Sequence, residues 1–186
     1  FLFAPVLGNL SDQFGRRPIL LLSLFGFSIN YLLLAWAPSF FWLIIGRIVA
    51  GIAGSSVSTA GAYIADVSTE STRAKNYGMV GAAFGLGFII GPAVGGLVAS
   101  LGVRAPFYTA AVLCLLNGLY GYFILPESLS IENRRKFSWK RANPFGALKI
   151  FLSHPTVARL AIVYFLIYLG AQAVQSTWSY FTMYRF

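Results

Sequence analysis

Residues 8–18 read Gly8-Asn9-Leu10-Ser11-Asp12-Gln13-Phe14-Gly15-Arg16-Arg17-Pro18, a polar, doubly basic island between apolar runs at 1–7 and 19–37. Two apolar runs joined by so few residues must fold back as a tight hairpin. Gly8 and Gly15 suit close packing and unusual backbone angles. Pro18 suits the first turn of the following helix, where its missing N–H costs nothing. Arg16 and Arg17 do not enter hydrocarbon cheaply, so they hold the turn at a membrane surface.

The rest of the composition agrees with a membrane protein. The 186 residues are 58% hydrophobic and only 10% charged, with a mean hydropathy of +0.72. Soluble domains carry about a quarter charged residues, and several apolar runs here approach the roughly 20 residues that span a bilayer as a helix. The fold class is therefore an all-α polytopic membrane protein. The net charge of +9 would suit nucleic acid, but the cations sit in short loops between spans, so no nucleic-acid partner is expected. The single cysteine, Cys114, lies in an apolar run, which excludes an intrachain disulfide and suggests no metal site. No cofactor is implied. The chain opens inside a hydrophobic stretch without Met or signal-peptide architecture and closes at the end of another span, so it reads as a piece of a longer protein.

Five complete spans and one partial one are expected. A helix tail occupies 1–7, and spans follow at 18–37, 40–65, 77–101, 106–125 and about 157–184. Polar segments at 66–76 and 126–156 return to the side of the first turn. Arg16, Arg17, Arg73, Lys75, Arg134, Arg135, Lys136, Lys140, Arg141, Lys149 and Arg159 fall on that side, eleven of the fourteen Lys and Arg. Arg104 and Arg185 fall on the other, and Arg47 lies inside a span. The bias places 11–17, 66–76 and 126–156 in the cytoplasm. Within the long connection, Asn143 and Pro144 would start an interfacial helix with Phe145, Leu148, Phe151 and Leu152 on one face and Lys149 elsewhere. Its simplest role is a tether, and His154 reads as a surface residue.

Several residues within or beside spans invite a functional reading. Arg47, Gly51, Ser55, Ser58 and Ala62 share a helical face at spacings of three and four. A guanidinium within a span is costly and points to function. It would give a cavity positive potential or pair with an acid, and the alternative is snorkelling to the outer surface. Asp66 closes the same helix on the basic side. An acid at a helix C-terminus is unfavourable against the dipole and calls for a cation, which Arg16 can supply as a latch; the alternative is a set of solvated charges. Gly81, Gly85, Gly87, Gly91, Gly95 and Gly96 surround Pro92 on the next span, a groove for close helix contact with a kink at the proline. The last span places Tyr164, Tyr168, Gln172, Gln175, Ser176 and Ser179 on one stripe. Those amides either contact a substrate or glue helices together.

The island G-x-L-S-D-x-F-G-R-R-P resembles the signature loop between helices 2 and 3 of the major facilitator superfamily, although the family usually carries a basic residue where this chain has Gln13. The stretch GLGFIIGPAVGG at 85–96 resembles the antiporter motif of drug/proton exchangers. Together with residues 11–35, GRIVAGIAG at 46–54, AYIAD at 62–66 and F-T-x-x-R-F at 181–186, these segments resemble the tetracycline/proton antiporters over essentially the whole chain.

The resemblance implies a partial facilitator fold, helices 2–7 of twelve. Residues 1–125 would be the first six-helix half, with its first helix missing and its second partial. Residues 126–156 would be the cytoplasmic connection and 157–186 the first helix of the second half. It also implies drug export in exchange for protons across the bacterial inner membrane. Gly8, Asp12, Gly15, Arg16, Arg17 and Asp66 would form the gating loop. Asn30, Arg47, Ser55, Ser58, Gln172 and Gln175 would face the substrate cavity, and Gly87, Gly91, Pro92, Gly95 and Gly96 would carry the antiporter motif. The partners are a small drug, protons and the lipid bilayer, and no catalysis is expected. Family members carry an Asp where this chain has Asn30, and none of its acids lies deep in a span, so no proton carrier is visible. A nutrient symporter of the same fold and a non-transporting sensor or scaffold are the rivals. The antiporter-like stretch argues against the first; a dry, packed interior would favour the second.

Overall fold

A single residue, Gly15, separates the first two helices. The computed structural model describes residues 3–139, 142, 143, 146 and 155–185, with the side chain of Ser179 outside that description. The interfacial helix expected after Asn143, and His154, lie outside the described residues. Two compact units are present, Phe1–Pro144 and Phe145–Phe186. The first holds α1 (Ala4–Phe14), α2 (Arg16–Trp36), α3 (Phe40–Gly54), α4 (Val57–Val67), α5 (Glu70–Ala99) and α6 (Ala105–Ile124). The second holds α7 (Pro155–Arg185). The described residues are helical apart from short turns and the connection that follows α6, an irregular stretch over 125–139 with one 3-10 turn at Ile131–Asn133. Among the described residues, five stretches are long and apolar enough to cross a membrane: Arg16–Trp36, Phe40–Val67, Glu70–Ala99, Ala105–Ile124 and Pro155–Trp178.

Three boundaries differ from the sequence expectation, each for a local reason. The island at 8–18 is not a loop, because α1 continues through it to Phe14. Two of its polar residues, Asn9 and Ser11, face inward instead of solvent. Ser11 is fully buried and donates to the Gly8 carbonyl at 2.7 Å, and Asn9 is 5% exposed. Gly8 is an ordinary helical residue with nothing within 4 Å of a Cβ. Only Gly15 of the two takes a positive φ, 105°. Pro18 falls in the first turn of α2, as its chemistry requires.

The span at 40–65 is interrupted at Ser55–Ser56. There the backbone tightens to i→i−3 bonds, Ser55 N–H to the Ile52 carbonyl and Ser56 N–H to the Ala53 carbonyl, both 3.1 Å. The serine side chains meet the released carbonyls: Ser55 Oγ donates to Gly51 O and Ser58 Oγ to Ser55 O, both 2.9 Å. Hydroxyls that bond back to their own helix tend to bend it. Finally, α5 begins at Glu70 and not near Tyr77. A capping box of Thr69 and Thr72 starts it, with the Thr69 N–H on Thr72 Oγ1 at 3.0 Å. Glu70 in its first turn suits the dipole.

Helix α2 is the hub of the first unit, packing on α1, α3, α4 and, most extensively, α6. Small residues make those approaches possible. A Cβ on Gly118 would lie 3.1 Å from Phe25, and one on Gly121 would lie 3.2 Å from Leu21. Ser28 Oγ donates across to the Ala111 carbonyl at 2.9 Å. The buried set is mostly small or polar, including Ser23, Ser28, Asn30, Ser55 and Thr59, while Phe, Ile and Leu side chains are exposed along the spans. Apolar surface directed outward suits hydrocarbon as the surrounding solvent.

Candidate functional site

The chain has five acids, and three of them, Asp12, Asp66 and Glu127, converge on the Gly15 turn. Arg16 stands in the middle. Its Nη1 pairs with Asp12 Oδ1 one turn back on α1, and its Nε reaches Asp66 Oδ2 on α4 at 3.3 Å. Nη1 also donates to Ser11 Oγ at 2.7 Å. The Arg16 side chain is 12% exposed, so one largely buried guanidinium ties together the ends of α1, α2 and α4. Asp66 gains the cation that its place in the last turn of α4 demands, and it accepts a second bond from Ser128 Oγ at 3.2 Å. Arg17 turns the other way. It donates to the Tyr122 carbonyl in the last turn of α6 and stacks over the Tyr122 ring at 5.5 Å. Beside the ion pairs lies a polar cavity of about 530 Å³, with Glu132, Arg134 and Arg135 on its wall next to Asp12, Arg16 and Asp66.

Gly15 is fixed at this position twice over. Its φ of 105° is one that L side chains rarely adopt, and a Cβ there would run into the Glu127 carboxylate and lie 3.1 Å from Arg134 Nη2.

Within the first unit, the residues read as lining a cavity lie on α2, on α3, at the α3–α4 break and on α4. Asn30 is 2% exposed between α2 and α3, its Oδ1 has no hydrogen-bond partner, and it faces Gly46, where a Cβ would lie 3.3 Å from that oxygen. Thr59 on α4 is likewise fully buried with its hydroxyl unpartnered. Arg47 is exposed on α3, and among the described residues no ion pair or hydrogen bond engages it. Ser55 and Ser58 serve the helix interruption. Gln172 and Gln175 are exposed on α7 in the second unit, where the Tyr164 and Tyr168 rings, at 5.3 Å, share their stripe. On α5, Gly87, Gly91, Gly95 and Gly96 have nothing within 4 Å of a Cβ. Gly87, Gly91 and Gly95 line an apolar cleft of about 380 Å³ facing Pro106 and Thr109 of α6. The helix runs on through Pro92, which leaves the Phe88 carbonyl without its usual N–H donor.

The sequence model of the Major Facilitator Superfamily matches residues 1–186, the whole chain. The chain belongs to the major facilitator superfamily. It is 44% identical over 186 residues to the tetracycline resistance protein, class C, of Escherichia coli, covering 100% of this chain and 47% of that protein. It is 38% identical to the class B protein of Escherichia coli, covering 100% and 46%. With multidrug resistance protein 2 of Bacillus subtilis it shares 35% identity, covering 98% and 46%. The crystal structure of the human organic anion transporter MFSD10 (TETRAN) superposes with a TM-score of 0.66 at 36% identity, over 72% of this chain and 31% of that one. The chain spans about half the length of the curated relatives it matches. With its five apolar helices, this facilitator is a multi-pass protein of the bacterial inner membrane.

Sequence reasoning on this facilitator overlooked Glu127, Ser128 and Asn9. Glu127 accepts the Arg16 N–H at 2.9 Å and the Arg17 N–H at 3.3 Å. One signal was available: an acid directly after an apolar span, in a segment otherwise crowded with cations.

Proposed function

We propose that the chain forms helices 2–7 of a twelve-helix exporter that moves tetracycline or a related amphipathic drug out of the cell in exchange for protons, by alternating access. Residues 1–125 belong to its first half, 126–156 to the cytoplasmic connection, and 157–186 open the second half. The observation that carries this reading is the shared Arg16, which ties α1, α2 and α4 at the basic end. The charge bias makes that end cytoplasmic. Partly exposed ion pairs are worth about 0–1 kcal/mol each, so such a latch holds one state and still opens on a transport cycle. The names of the tetracycline resistance relatives supply the drug class.

Antiport needs a group that binds proton and drug alternately, and a buried carboxylate is the usual one. Asp12, Asp66, Glu70, Glu127 and Glu132 all lie in end turns of helices or in the connection. Arg47 stays charged at any accessible pH. The carrier therefore belongs to another part of the intact transporter, and Asn30→Asp should leave drug-driven proton flux in place. Flux in inverted membrane vesicles carrying the full-length protein tests this. A tetracycline-dependent proton movement that survives the substitution supports the reading, and no tetracycline transport at all would end it. A second reading, export of an organic anion, is favoured by Arg47, an in-span cation with no counter-charge among the described residues, and by the organic anion transporter neighbour. An uptake panel of anionic and zwitterionic drugs, repeated with Arg47→Gln, separates the two.

A further inference from the structure

We infer that the first part of the central connection, residues 126–138, clamps the Gly15 turn, and that Glu127 is the positioning residue that aims Arg16 at its two acids. The inference rests on reading the Arg16–Asp66 pair as a gate. Because α1 ends and α2 begins around one residue, unpaired carbonyls of one helix and unpaired N–H groups of the next crowd a few ångströms. The N-cap of α2 is Gly15, which has no side chain to offer. The caps come from far along the chain. Glu127, 111 residues away, accepts the Arg16 N–H at 2.9 Å with Oε1 and the Arg17 N–H at 3.3 Å with Oε2. The Leu129 N–H, on Oε1 at 3.1 Å, fixes that carboxylate in turn. From the other side, the Arg135 N–H donates to the Asp12 carbonyl in the last turn of α1 at 2.9 Å. Buried Asn9 then pins the strand of connection that follows, with Nδ2 donating to the Ser138 carbonyl at 2.8 Å.

One segment thus caps both helices that meet at Gly15. It also holds Asp66, through Ser128 Oγ at 3.2 Å, and Tyr63 of the same helix, whose hydroxyl donates to the Pro126 carbonyl at 3.2 Å. Both partners of the Arg16–Asp66 pair are bound to the same short stretch. Moving α2 away from α4 requires residues 126–138 to release one of them, so the gate and this stretch of the connection move together. The connection acts as a clamp, which goes beyond the simple tether read from sequence.

Amide hydrogen exchange on the full-length protein in lipid nanodiscs tests the clamp without any transported drug. Loss of a helix cap speeds exchange of the amides it protects roughly tenfold. Glu127→Ala should accelerate the Arg16 and Arg17 amides by that order, and the Arg135 amide with them, although Glu127 does not touch it. Asn9→Ala, at the opposite end of the clamp, should accelerate all three as well. Should Glu127→Ala fail to fold, Glu127→Gln keeps one acceptor oxygen and should show the same pattern at smaller size. Acceleration of the Arg16, Arg17 and Leu129 amides with Arg135 unchanged would overturn the clamp, leaving independent contacts. Accelerated exchange at both ends with drug efflux unchanged would overturn the positioning role of Glu127.

Discussion

Gly15 and Gly91 are both motif glycines, yet their surroundings are opposite. At Gly15 the backbone sits at φ 105° and the Glu127 carboxylate fills the space that a Cβ would need. Along α5, Gly78, Gly81, Gly85, Gly87, Gly91, Gly95 and Gly96 have nothing within 4 Å of a Cβ. Each costs its helix about 1 kcal/mol relative to alanine, and among the described residues no atom lies close enough to exclude a Cβ there. The first glycine is required by the fold it sits in. Among the described residues no neighbour requires the others.

The comparison breaks most readily at its strong end. Gly15→Ala should cost on the order of 1–3 kcal/mol from the backbone alone, and more through the displaced Glu127. Thermal unfolding of the purified full-length protein should show the loss, and efflux should fall with it. Gly91→Ala should leave stability unchanged or raise it by up to about 1 kcal/mol of helix propensity. If α5 slides on another helix through its glycine face, export should nonetheless drop. Equal destabilisation by the two substitutions would erase the distinction. The smallest effect is expected from Ser58→Ala. Its exposed hydroxyl only meets the Ser55 carbonyl, so stability should change within about 0.5 kcal/mol and drug preference should stay as it was. A changed drug spectrum would instead make Ser58 a substrate contact.

The spans were legible because each is a long apolar run, and length alone separates such runs from soluble core helices. The encounter of Arg16 with Asp66 was also open to reasoning, since an acid in a last helical turn needs a cation and the basic turn lies at the same end. The tight hairpin was expected, but the length of its turn was not. Asn9 and Ser11 look like loop residues in a linear pattern, but both are buried on α1, and a polar face directed at other helices has the same composition as a turn. The break at Ser55–Ser56 left no mark, because serines bond to their own backbone in straight and interrupted helices alike. Glu127 was hidden for a different reason. Two of its three partners are backbone N–H groups more than a hundred residues away, and no side-chain pattern encodes those.

The most direct measurement is a double-mutant cycle on Arg16 and Asp66, read as tetracycline efflux from cells carrying the full-length protein. Arg16→Ala alone leaves Asp66 and Asp12 facing each other without their shared cation, and export should fall sharply. Adding Asp66→Asn removes the stranded charge and should restore part of the activity, a coupling of roughly 0.5–3 kcal/mol. Losses that simply add, with no recovery in the double variant, would contradict a latch between α2 and α4.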